Sequence, residues 1–177
     1  MSLEMLEQAV EESARTERTV VGLPTRLSDA GPRWELLRRM QGLILNQGEA
    51  SLLLGMEIQD ATSARLALRR MHAEGVAWAA ITLGAGGVVA GEAGRDVVHC
   101  LAAELPIAST LGAGDAFAAG LLAGLSARYG LEQAVGVGLK MARRVLEVVE
   151  AVRAEPCREL LSRPWHNQPG KERTRTW

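Results

Sequence analysis

Leu3, Leu6, Ala9 and Val10 recur at helical spacing, so the chain opens on an amphipathic helix. The run ERTVVGLP, residues 17–24, reads as a short buried strand ended by proline. A polar loop follows, then a helix through Trp34, Leu37 and Met40. GLILN, residues 42–46, is a second apolar run and predicts a strand ending at Asn46. Residues 47–55 return to helix and stop at Gly55. Asp60 to Glu74 predicts a longer amphipathic helix, with Leu66, Leu68 and Met71 as its buried side and Gly75 as its cap. VAWAAITL, residues 76–83, is a strongly apolar strand, and GAGG turns the chain after it. VVAGE and RDVVHCLA then predict a short hairpin pair between Val88 and Ala102. Two further helices are expected, Ala116 to Arg128 and Leu131 to Val152, before a polar, basic, proline-bearing end.

Strands alternating with helices indicate an α/β layered domain with a mainly parallel sheet. Such sheets place ligands beyond the carboxyl ends of their strands. Three polar clusters fall at such ends: Asn46 with Glu49, Thr82 with Gly84, and the stretch STLGAGDAF at residues 109–117.

Composition narrows the function classes. The 177 residues are 47% hydrophobic, enough for a real core. A net charge of −1 gives no global pull toward nucleic acid or anionic membrane. Cys100 and Cys157 lie far apart without a CxxC pairing, which argues against a disulfide framework or a zinc site. The N-terminus lacks the apolar core of a signal peptide, and no apolar run approaches a membrane span. The expectation is a soluble, cytoplasmic protein. His72, His99 and His166 show no metal spacing and read as surface or packing residues. Trp78 reads as core, and Lys140, Arg143 and Arg144 as a solvated helix face.

The sharpest feature is STLGAGDAF. A helix expected to begin near Gly114 has first N–H groups with no partners inside it, and its dipole makes that end electropositive. Gly112, Ala113 and Gly114 carry almost no side chain, so an anion can approach those N–H groups closely. Asp115 would repel a phosphate bound there, an odd choice for binding alone. A carboxylate beside an anion hole makes sense if it takes a proton from a hydroxyl attacking that phosphate. The bland alternative is a tight turn with an acid complementing the dipole.

STLGAGDAFAAGLLAGL resembles the C-terminal signature of the ribokinase-like (phosphofructokinase-B) sugar and nucleoside kinases, usually written D-T-x-G-A-G-D. The resemblance implies that Gly112, Ala113 and Gly114 hold the transferring phosphoryl group and that Asp115 is the catalytic base. NQGE, residues 46–49, is similar to the family's N-x-x-E, which orders magnesium and phosphate; that implies an indirect metal role for Asn46 and Glu49. A helix cap is the plain reading of the same pair. TLGAGG, residues 82–87, is similar to T-L-G-x-x-G, implying that Thr82, Leu83, Gly84 and Gly87 approach the nucleotide. An ordinary hairpin turn is its plain reading.

The implied fold is a three-layer α/β/α ribokinase-like domain with a mainly parallel sheet, lacking the N-terminal part and lid that family members carry. Residues 1–155 would form its nucleotide-binding and catalytic portion and 156–177 a polar tail. The implied activity is ATP- and Mg2+-dependent phosphoryl transfer to a hydroxyl of a sugar or sugar-like substrate. The alternatives are a pseudouridine or other nucleoside kinase, and a truncated, non-catalytic nucleotide-binding or interaction module. A Rossmann or Walker A site lacks its motif here. Ser109 stands where the signature has its first aspartate, which helps bind the ion in cation-activated members, so the departure puts a monovalent-cation requirement in doubt. No residue between Leu131 and Met141 clearly matches the polar group that often flanks the adenine. The expected partner is a small molecule, without nucleic acid or membrane, with homodimerisation an open option.

Overall fold

The computed structural model describes residues 3–16, 19–24, 30–102 and 112–147. In chain order the elements are α1 (Leu3–Thr16), β1 (Val21–Gly22), α2 (Ala30–Leu37), β2 (Gly42–Asn46), α3 (Gln47–Leu54) and α4 (Ala61–Ala73). They continue with β3 (Trp78–Thr82), a 3-10 turn (Gly84–Gly86), β4 (Val88–Glu92), β5 (Val98–Cys100), α5 (Ala113–Ser126) and α6 (Leu131–Leu146). The expected tail at 156–177, with Cys157 and His166, lies outside the described residues, as do Ser109, Thr110 and Leu111.

One sheet runs in the order β1-β2-β3-β4-β5. Its first three strands are parallel, with Val21 opposite Gly42 and Gly42 opposite Trp78. Helices fill the intervals between these strands, as parallel neighbours require. Ala93 N–H, just past β4, donates to Ala77 O, just before β3, at 2.8 Å. The end of β4 thus lies against the start of β3, and that pair is an antiparallel hairpin; the sheet is mixed. Gly42 earns its place by its neighbour: a Cβ there would sit 2.0 Å from the Trp78 ring.

The described residues fall into two compact units, those within 1–83 with 89–97, and those within 84–88 with 98–147. The first has a core of Leu43, Leu45, Leu68, Met71, Val76 and Ile81, over which Leu6 and Val10 of α1 and Trp34 and Leu37 of α2 pack. Leu66 does not join it. At 52% exposed it faces solvent, while Ala64, Ala67, Leu68 and Met71 are fully buried. Two residues around a helix is about 200°, so Leu66 and Leu68 cannot share a face. The small Ala64 and Ala67, not the larger leucine, complete the buried stripe.

Side chains set the helix ends. Asp60 caps α4 through Ser63 N–H at 2.8 Å, and that bond holds its carboxyl below the usual carboxylate range. Glu74 closes α4, and Gly75 follows at φ +108°, a conformation glycine adopts freely. The Glu74 carboxylate accepts from the Trp34 indole N–H and from Arg70 at 3.0 Å, tying α2 to α4 and lowering its pKa.

The second unit is built on α5 against α6. Its buried residues include Phe117, Ala118, Leu121, Leu131, Ala134, Val135 and Val137. The helices touch backbone to backbone: a Cβ on Gly120 would meet Gly138 Cα at 2.8 Å, and one on Gly124 would meet Ala134 Cα at 2.8 Å. α5 begins at Ala113, three residues before the helix the apolar pattern predicts, because small residues in the first turn carry no apolar signal.

Candidate active site

In the first unit, β2 and β3 end side by side, with Asn46 directly opposite Thr82. Asn46 is the N-cap of α3: its Oδ1 accepts from Glu49 N–H at 2.8 Å, and Glu49 Oε2 accepts from Asn46 N–H at 2.8 Å. The pair forms a reciprocal capping box, satisfying two otherwise orphaned donors. Burial pushes the Glu49 carboxyl up from its usual range, and the bond from Asn46 N–H offsets part of that rise. Thr82 Oγ1 reaches Leu45 O at 3.4 Å. Among the described residues no group of three or more His, Cys, Asp or Glu side chains could hold a metal ion.

Leu83, partly buried, packs its side chain against the core of the first unit. The chain then turns through Gly84 at φ +58° and Gly87 at φ +84°. Gly87 N–H donates to Gly84 O at 3.1 Å, closing the turn. A Cβ on Gly87 would lie 2.1 Å from Cys100 O, so only glycine fits against the backbone after β5. His99, on β5, bonds through Nε2 to Gly86 O at 2.7 Å. Sequence reasoning missed this contact. The residues are thirteen apart and meet only through strand register, which no local pattern announces.

Gly112 adopts φ +79° as the N-cap of α5 and has no side-chain capping bond to give. The first helix-spanning bond runs from Ala116 N–H to Gly112 O at 2.9 Å. The N–H groups of Ala113, Gly114 and Asp115 therefore have no partner within the helix. A Cβ built on Gly114 meets no described atom within 4 Å. Asp115 is exposed in the first turn, and its carboxylate has no hydrogen-bond or ion-pair partner among the described residues. This end of α5 is electropositive, clear of the described atoms around Gly114, and flanked by a carboxylate.

The structure thus gathers Asn46, Glu49 and Thr82 in one unit, and places Gly84, Gly87 and Gly112 to Asp115 in the other. Among the described residues no helix is long and apolar enough to cross a membrane.

The profile of the pfkB family carbohydrate kinases matches residues 3–156 of the chain. A 1-phosphofructokinase from Rhodobacter capsulatus is 42% identical over 77 residues, covering 44% of this chain and 24% of that protein. A cytidine kinase from Thermococcus kodakarensis is 34% identical over 115 residues, 64% of this chain and 39% of its own length. The ribokinase of Thermotoga maritima superposes with a TM-score of 0.72 at 22% identity, covering 88% of this chain and 52% of the other, a likeness of fold. The chain spans between about a quarter and two fifths of the curated relatives it matches, and about half of that solved structure.

Proposed function

We propose a function from one premise: the chain belongs to the pfkB family of carbohydrate kinases. It transfers the terminal phosphoryl group of ATP to a hydroxyl of a sugar or sugar-like alcohol. The observation that carries this reading is the N-terminus of α5, where a left-handed Gly112 and a Gly114 clear of described atoms adjoin an exposed Asp115 with no partner among the described residues.

The N–H groups of Ala113, Gly114 and Asp115 donate to the phosphoryl oxygens and offset the negative charge that spreads over them in the transition state. Asp115 accepts the hydroxyl proton of the acceptor. The acceptor oxygen then bonds to phosphorus as the bond from phosphorus to the ADP oxygen breaks. The backbone of Thr82 to Gly87 lies along the nucleotide, with Leu83 anchoring the segment by its partly buried side chain.

Magnesium bound to the phosphates supplies further charge neutralisation. Asn46 Oδ1 and Glu49 Oε2 each accept a bond in the cap, which leaves the other carboxylate oxygen of Glu49 to face the ion. They fit an indirect role, in which the second oxygen of Glu49 orders water around the ion. Location in the cytoplasm and action on a small molecule belong to the same reading.

A nucleoside acceptor is the second reading, and the likeness to a cytidine kinase over 64% of the chain favours it. Sugars and nucleosides present the same kind of hydroxyl, so the residues around Asp115 serve either.

Gly114→Val tests the phosphate site. Two methyl groups would occupy the open space in front of the α5 N–H groups. Charge-assisted hydrogen bonds are worth about 1.5–3 kcal/mol each, so losing one should weaken ATP binding roughly 10- to 100-fold. The fold should survive, since the added Cβ meets nothing described within 4 Å. Calorimetric titration with ATP and magnesium, beside thermal melts, measures both. Equal affinity in a folded variant would move the phosphate site elsewhere.

A further inference from the structure

The glycine-rich segment after β3 raises a problem of order. Gly84 and Gly87 both take positive φ, and Gly86 lies between them, so ordering this stretch costs more conformational entropy than ordering an ordinary turn. A backbone that receives a nucleotide must already be in place, or binding must supply the ordering. The turn's own bond, Gly87 N–H to Gly84 O, closes the ring without fixing it to anything else.

Two contacts fix it. Gly87 lies directly on the Cys100 to Ala102 backbone, and the imidazole of His99 reaches Gly86 O at 2.7 Å. A carbonyl oxygen can only accept, so Nε2 must carry the hydrogen and His99 must donate. Neighbouring residues of a strand point to opposite faces, so Cys100 is buried at 2% exposure while His99 stays free to make this bond.

We infer that His99 is a positioning residue for the nucleotide: from β5 it pins the Gly84–Gly86 turn in the conformation that receives ATP. The inference rests on the kinase reading, in which Thr82 to Gly87 lies along the nucleotide. His99 touches neither the acceptor nor the reacting atoms in this account. Its contribution is to preorganise backbone.

The test compares the wild-type chain with His99→Ala and His99→Gln, since a glutamine amide can place an N–H close to where Nε2 stands. Hydrogen exchange of the Gly84 to Gly87 amides is measured beside calorimetric titration with ADP and with ATP plus magnesium. A net hydrogen bond of about 0.5–1.5 kcal/mol corresponds to a two- to tenfold effect. His99→Ala should therefore bind nucleotide two- to tenfold more weakly and exchange these amides faster. His99→Gln should restore most of both, which a residue important only for general stability would not do. Wild type that binds no nucleotide overturns the kinase reading and this inference with it. Wild type that binds, with His99→Ala binding equally well or its turn exchanging no faster, overturns this inference alone.

Discussion

Replacing Asp115 with asparagine should lower phosphoryl transfer by at least about a hundredfold, with nucleotide affinity unchanged or slightly tighter. A positioned general base contributes on the order of 10²–10⁴ in rate, or roughly 3–5 kcal/mol at about 1.36 kcal/mol per tenfold step. Asparagine keeps the shape of the side chain and removes the proton acceptor. It also removes a negative charge beside the bound phosphates, hence the direction expected for binding. The competing role for Asp115 is complementing the α5 dipole, worth about 0.3–1 kcal/mol at a surface. Gly112 is the N-cap, and among the described residues Asp115 makes no capping-box bond back to it of the kind Glu49 makes to Asn46. A dipole role predicts a small fall in melting temperature with turnover near normal. Steady-state kinetics together with a thermal melt separates the two.

The second large effect concerns stability. Gly138→Val should destabilise the second unit by about 3 kcal/mol, the upper part of the range for overpacking. A Cβ on Gly138 would lie 2.7 Å from Phe117 O and 2.8 Å from its ring, and valine adds two methyl groups beyond that. Phe117 is 2% exposed, so its ring has nowhere to retreat. The better helix propensity of valine over glycine returns only a few tenths of a kcal/mol. The packing loss wins. At roughly 2–4 °C per kcal/mol for a chain of this size, the melting temperature should fall by about 6–12 °C. Gly114→Val, the same exchange at the exposed end of α5, should change it little. Differential scanning calorimetry of the two variants makes the contrast directly.

Much of the fold was legible because several elements carry strong, local signals. GLILN is a short apolar run with a polar stop, and it forms β2 with Asn46 as its last residue. Asp60 caps the start of α4 as expected, whereas its C-cap is Glu74, one residue before the expected Gly75, which follows in a positive-φ turn. The start of α5 was less legible, since Ala113 and Gly114 lack an apolar pattern and join the helix through the left-handed turn at Gly112. Leu66 was misread because hydrophobicity alone marks it as core, whereas the helical period turns it outward beside two buried alanines.

The candidate site divides in the same way. The small residues before Asp115 form a motif in contiguous sequence, so a phosphate cradle could be read from them directly. The Asn46–Glu49 spacing fits both a cap and a metal-ordering pair, and the reciprocal capping box gives the pair a structural use whatever else it does. His99 carries no local signal, since its partner Gly86 is brought to it by the pairing of strands. Contacts that depend on register are those a single sequence states least clearly.

The central claim is that this protein moves a phosphoryl group from ATP to an alcohol. The most direct measurement is phosphoryl transfer from ATP, with magnesium, to a panel of hexoses, pentoses, sugar phosphates and nucleosides, following both ADP and the phosphorylated acceptor. The account predicts that at least one acceptor is phosphorylated, in step with ADP release, and that Asp115→Asn suppresses both together. Nucleotide binding without transfer to any acceptor in the panel would contradict it, leaving a nucleotide-binding module in place of a kinase.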